Sequence, residues 1–320
     1  MKAKVLNSDL RDGITIGLSW TRQRVLLHGV SPALKEQLIN GSLLQNALPG
    51  AEIQQTYGNT EGVSRAGDWC IQCVNGPPRI TYHRRRRTII YQFDREVALE
   101  HDVINLMLQI VELFADQQSS ALMIHGSLIA HNSTSVLLLG PPLSGKTTVT
   151  VEAITSGWSC GAGERLIFDA KNRTLMAGTP FHHLNIGITE RFFPSLRPGF
   201  LSRQEICPPH GAESKLHEAP VALMVVPKVT DRSPVSGVLS FALTRNMALR
   251  FMSLDTGRFA SGAFSLCCMR LAAGSLDTCQ SRSRRLTRAA ELCSSVPAFF
   301  IEGHPSAVVE WLDKWLSKAQ

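Results

Sequence analysis

The chain has 320 residues, 44% hydrophobic and 18% charged, which excludes a disordered polypeptide and allows one large or two ordinary domains. No apolar run approaches the roughly 18 residues of a membrane span, and MKAKVLNSDLRDG lacks the apolar centre of a secretory signal, so a cytoplasmic protein with no membrane partner is expected. The net charge of +7 is concentrated at Arg84–Arg87 and at Arg282, Arg284, Arg285 and Arg288; with no nucleic-acid module or interleaved aromatic platform, these read as solvated patches and no nucleic-acid partner is expected.

Residues 1–95 read as a β-rich module. ITIGLSW, RVLLHGV, CIQCV, RITYH and TIIYQF are short alternating runs cut by Gly, Pro and Asn signals. RITYH and TIIYQF flank the first arginine run, which places those arginines on a hairpin tip. Cys70 and Cys73 form a C-x-x-C, but zinc needs two further ligands at matching spacing and DWCIQCV has a strand pattern, so neither zinc nor redox work is expected there. Cys160, Cys207, Cys267, Cys268, Cys279 and Cys293 read as reduced thiols.

From Arg95 to Ala115 the pattern becomes helical, with Val97, Ile104, Leu108, Val111 and Phe114 recurring at helical intervals. LMIHGSLIAHNSTSVLLLG reads as two strands around the turn at 131–134. Thr147 to Thr155 is an expected helix ending near Gly157. LIFDAKNRTLMAG is an expected hairpin around Lys171-Asn172, and the stretch from Pro194 to Pro220 an irregular surface segment. VALMVVP reads as a buried strand, Leu286–Cys293 as a helix, SVPAFFIEG as a strand and Ser306–Lys318 as an amphipathic helix.

One stretch carries chemistry. The apolar run Val136–Leu139 enters Gly140-Pro141-Pro142-Leu143-Ser144-Gly145, and Lys146, Thr147 and Thr148 follow at the head of a helix. This is G-x-x-x-x-G-K-[ST] between a strand and a helix, where backbone N–H groups converge on phosphates beside the positive end of the helix. Residues 140–148 are therefore the expected nucleotide-binding residues. Lys146 would reach the β- and γ-phosphates, and the Thr147 hydroxyl would ligate Mg²⁺.

Ile124-His125-Gly126 upstream and SGWSCGAGERLIF downstream, taken with the loop, resemble the HPr kinase/phosphorylase family and its relatives among serine kinases of peptide-modification clusters. The resemblance spans about Asp102 to Asp169. It implies an α/β fold of the HPr kinase and phosphoenolpyruvate-carboxykinase type over residues 96–320, with residues 1–95 as the smaller β-rich N-terminal module. It also implies ATP and Mg²⁺ as ligands and a kinase acting on a hydroxyl of a peptide, protein or small molecule. In register with the family, His125 falls on its histidine, Lys146 and Thr147 on its loop residues, and Gly163 and Glu164 on its pair of catalytic aspartates. Glu164, His125 and Lys146 are thus the expected catalytic residues, and Thr147 and Glu164 the expected metal ligands. Gly163 departs from the pattern, as does Thr148 where an acidic residue is common, and Asp169 lies five residues beyond Glu164. A degenerate ATP-binding protein with a regulatory or partner-binding role, without phosphoryl transfer, is the alternative. The acceptor and any homo-oligomer are left open.

Overall fold

A computed structural model describes residues 13–40, 44, 47–56, 67–93, 99–206, 219–239, 241–266, 271–272 and 274–319. Val97, Cys207, Cys267 and Cys268 lie outside the described residues. The chain forms two compact units, residues 1–114 with 258–278, and residues 115–257 with 279–320. The division falls inside the first long helix, whereas the change of periodicity near residue 95 marks where that helix's sequence begins. Among the described residues no helix is long and apolar enough to cross a membrane.

The first unit is built on a six-stranded sheet of β1 (Gly13–Leu18), β2 (Thr21–His28), β3 (Ala51–Thr56), β4 (Trp69–Asn75), β5 (Arg79–His83) and β6 (Thr88–Phe93), in the order β3-β1-β2-β4-β6-β5. Helix α1 (Pro32–Asn40) links β2 to β3. Alternation buries Ile14 and Ile16, Val25 and Leu27, and Ile89 and Tyr91 on one face. β5 and β6 form the expected hairpin, with Arg84–Arg86 as a single 3-10 turn at its tip. Cys70 and Cys73 stand on β4, where burial pushes their thiols up to about 11 and about 12. Thiols so disfavoured as thiolates are poor nucleophiles.

Helix α2 (Leu99–Gln117) follows. Its apolar stripe is interrupted by buried polar groups that are satisfied within the unit. Tyr91 donates to Asp102 at 2.5 Å, the amide of Ala260 donates to Glu112 at 2.7 Å, and Gln109 donates to the carbonyl of Gly274 at 2.6 Å. The last two bonds tie the late excursion 258–278 to this unit.

In the second unit, β7 (Ala121–His125), β8 (Ser127–His131) and β9 (Thr134–Leu138) precede α3 (Lys146–Thr155), β10 (Ser159–Ala162), β11 (Arg165–Asp169) and β12 (Thr174–Gly178). There follow β13 (Phe181–Leu184), α4 (Ile186–Phe192), β14 (Gly199–Ser202), α5 (Arg203–Ile206), β15 (Val221–Val229), β16 (Gly237–Val238) and α6 (Phe241–Asp255). β17 (Ser265–Leu266) and β18 (Leu271–Ala272) lie in the excursion. α7 (Cys279–Ser295), β19 (Ala298–Gly303) and α8 (Pro305–Ala319) complete the unit.

The main sheet has the order β10-β8-β9-β15-β19-β16. β9, β15 and β19 run parallel, and β8, β10 and β16 are antiparallel to their neighbours. This is a mixed α/β sheet. Val136 and Leu138 pack with Val149 and Ala153 of α3 and Leu312 of α8, while Leu137 and Leu139 pack on the other face with Ala289 and Leu292 of α7. Burial on both faces explains why β9 ends in the continuous apolar run Val136–Leu138 rather than an alternating one.

Three sequence expectations need correction. The stretch from Pro194 is not irregular throughout: it holds β14 and α5, whose Leu201 and Ile206 are buried in a core cluster. LMIHGSLIAHNSTSVLLLG forms three strands, not two: the chain turns at Gly126, leaving β7 in a separate antiparallel sheet of order β12-β11-β7 and sending β8 into the main sheet. Gly126 sits so close to β9 that a Cβ there would stand 2.7 Å from the carbonyl oxygen of Leu138. The second arginine cluster is not a solvated patch. Arg285 and Arg288 are buried, Arg285 against Asp116 and Arg288 donating to the carbonyls of Ala121 and Gln118 at 2.7 and 2.8 Å. Arg282 and Arg284, on the same helix, remain exposed.

Candidate phosphate-binding site

β9 delivers the chain to the loop, and β15 beside it holds the loop in place. The amide of Leu139 donates to Val225 at 2.8 Å, and that of Val229 donates to Ser144 at 3.2 Å. Gly140, Leu143 and Gly145 all have positive φ, at 138°, 65° and 100°. Gly145 is required twice over: its φ is in the region L side chains avoid, and a Cβ would lie 2.2 Å from Cγ2 of Val229. Leu143, held left-handed at 65°, is 94% exposed. An apolar residue in a strained conformation with no packing to compensate is the kind of outlier found at ligand loops.

α3 begins at Lys146. The buried Lys146 ammonium donates to the carbonyls of Gly140 and Pro141 at 2.9 and 3.1 Å. Thr147 is half-buried at the helix start, and Thr148 is buried.

The residues beside the loop arrive from the smaller sheet. β7 and β11 pair antiparallel with His125 opposite Arg165. The amide of Gly126 donates to the carbonyl of Glu164 at 2.9 Å, and the Ser127 hydroxyl donates to the carbonyl of Gly163 at 2.8 Å. Thr179 fixes the same corner, its hydroxyl accepting from the amides of Glu164 and Arg165, both at 3.1 Å. The Glu164 carboxylate is partly exposed, with the Arg165 guanidinium 3.4 Å away.

These elements enclose a cavity of about 550 Å³. Of the residues singled out in the sequence, His125, Pro142, Leu143, Gly145, Lys146, Thr147, Thr148, Gly163 and Glu164 line it; Gly140, Pro141 and Ser144 belong to the same loop without lining it. Asp169 stands at the far end of β11, opposite Ala121, roughly 13 Å along the strand from Arg165 at 3.3 Å per residue. There its carboxylate caps the turn to β12, accepting from the amides of Lys171 and Asn172. Among the described residues that line the cavity, Glu164 is the one carboxylate.

The sequence reading missed the opposite wall. β13, α4 and the start of β14 supply His183, Asn185, Ile188, Arg191, Phe192 and Phe200. Asn185 caps α4 by accepting from the amide of Ile188 at 2.9 Å. Arg191 is paired with Asp231, just beyond β15. FHHLN ends in a helix-capping asparagine, but its four strand residues do not alternate in hydropathy and are too few to stand out without their partner strand.

Among the described residues no group of three or more His, Cys, Asp or Glu side chains is placed to hold a metal ion by itself. Comparison with models of known protein families and with curated proteins finds no match for this chain.

Proposed function

We propose that the protein is a cytoplasmic ATP-dependent kinase with a core of the HPr kinase and phosphoenolpyruvate-carboxykinase type, phosphorylating a hydroxyl of a peptide, protein or small molecule. The observation that carries this reading is that Lys146, Thr147, His125 and Glu164, brought from three elements, line one cavity. A phosphate cradle alone would serve any nucleotide-binding protein; a carboxylate beside it adds a base for a hydroxyl.

On this reading the loop amides and the start of α3 receive the phosphates. The Lys146 ammonium exchanges the carbonyls of Gly140 and Pro141 for oxygens of the β- and γ-phosphates. The Thr147 hydroxyl offers a hard oxygen donor that fits Mg²⁺ shared with ATP phosphate oxygens and water, and the ion would supply charge neutralisation there; Glu164, the other expected ligand, must be free of the metal to act as base. Glu164 accepts the acceptor's hydroxyl proton as that oxygen bonds to the γ-phosphorus, while the bond to the β–γ bridging oxygen breaks and ADP leaves. His125, at the end of β7 beside the Glu164 corner, orients the carboxylate or contacts the γ-phosphate.

Gly163 in place of a second carboxylate favours the other reading, a nucleotide-binding protein whose occupancy serves a partner and that transfers nothing. Glu164→Gln separates the two. It keeps the side chain's size while removing the base, so transfer from labelled ATP to hydroxyl-bearing peptides should fall by about 10²- to 10⁴-fold with Mg-ATP affinity, by calorimetry, changing far less. A normal transfer rate in this variant removes Glu164 from the mechanism. Binding of ATP by wild-type protein without any transfer supports the second reading.

A further inference from the structure

We infer that the outward face of the β13–β14 hairpin is a nucleobase platform, with Phe200, supported by His183, stacking against the base of the nucleotide whose phosphates the loop holds. This rests on the nucleotide reading above and extends it to the half of the ligand that the loop cannot read.

Local structure fixes which side chains face the cavity. His183 pairs with Phe200 and Leu184 with Gly199 across the hairpin. Alternation turns His183 and Phe200 outward and buries Leu184 and Leu201. A two-stranded ribbon is marginal alone. This one is anchored because Leu184 and Leu201 pack with Val151 and Ile154 of α3 and Phe193 beyond α4. The helix whose first turn carries Lys146 and Thr147 is thus the body to which the hairpin is fixed, so platform and phosphate cradle are held in one frame.

The exposed chemistry is that of a stacking surface. Phe200 is 42% exposed, with its ring centroid 4.8 Å from that of His183 at 46°. Both rings line the same cavity as the loop, which at about 550 Å³ is larger than a triphosphate needs and within the range of small-molecule sites. An aromatic left open to water inside a concave site has unused apolar area, and a purine or pyrimidine covers it without requiring any particular hydrogen-bonding edge. Phe192 and Ile188 extend the apolar wall from α4. The platform therefore distinguishes a nucleoside triphosphate from inorganic triphosphate, and discriminates weakly between bases.

The test compares Mg-ATP with magnesium tripolyphosphate, by calorimetry, on the whole chain. Phe200→Ala should weaken ATP by about five- to a hundred-fold, the range for losing one stacked base, with tripolyphosphate affinity unchanged. Phe200→Trp should retain ATP affinity, and His183→Ala should weaken it less than Phe200→Ala. Because Phe200 is solvent-exposed the variants should fold, as thermal melts would show. Equal losses for both probes, or no loss for either, overturn the platform and leave the phosphate loop standing. A loss of acceptor use with ATP affinity intact also overturns it and assigns the hairpin to the acceptor. Wild-type protein that binds neither probe overturns the platform together with the nucleotide reading.

Discussion

At the residue scale the loop shows how one side chain serves two partners. Lys146 is buried, and its ammonium donates to two carbonyls of its own loop, bonds that hold the charge in place. Phosphate oxygens offer charge-assisted bonds, stronger than those to neutral carbonyls. Lys146→Ala should therefore weaken Mg-ATP by about 10- to 100-fold, at 1.5–3 kcal/mol per charged hydrogen bond. The fold should survive, because α3 is anchored by Val149, Val151, Ala153 and Ile154 rather than by its first residue. Calorimetry beside a thermal melt checks both halves, and unchanged ATP affinity in a folded variant would count against the phosphate-binding reading. His125 and Glu164 were legible as candidates only through their likeness to a family pattern; neither residue type nor spacing singles out a strand histidine or a lone glutamate.

At the element scale the β13–β14 hairpin carries a titratable group on its inner face. His182 is buried beside the outward His183, and burial holds its imidazole down to about 4. The sign follows from proton counts. The unfolded chain takes up a proton near pH 6.5 and the folded one only near pH 4, so between these values the unfolded state binds more protons and stability falls as pH drops. The loss from this group should reach about 2 kcal/mol at pH 5 and level off below pH 4. Urea midpoints of wild type and His182→Gln at pH 7 and pH 5 test it: the wild type should lose more on acidification, and parallel losses would exclude His182 as the cause. A strand of four residues has too few positions for alternation to be read in the sequence, which is why the hairpin, and with it Phe200, was not foreseen.

For the second unit taken whole, the decisive element is α7. Its inner face holds Arg285 and Arg288 among Ser281, Ala289, Leu292 and Cys293, and the arginines replace apolar contacts with an ion pair and carbonyl bonds at the end of α2 and the start of β7. Taking Asp116 from beside the buried Arg285 should destabilise this unit by about 3–5 kcal/mol. Asp116→Leu with Arg285→Leu should recover much of that, since an apolar pair of similar volume carries no stranded charge. Denaturant midpoints of the single and double variants decide it, and a single Asp116→Ala costing under about 1 kcal/mol would show the pair to be dispensable.

The sequence by itself determined the local features: the β-rich beginning, the continuous apolar run of β9, the phosphate-loop spacing and the amphipathic closing helix. Each depends on neighbours along the chain, whose periodicity and turn chemistry are written in consecutive residues. Tertiary structure alone decided that the chain leaves one sheet for another at Gly126, that residues 258–278 return to the first unit, and that arginines of α7 point inward. It also decided that the hairpin at 181–202 forms the wall facing the loop. These depend on groups distant along the chain: a carbonyl of Leu138 that leaves no room for a Cβ, a carboxylate at Asp116 that makes a buried arginine tolerable, a helix side at Val151 and Ile154 that a four-residue strand can bury against.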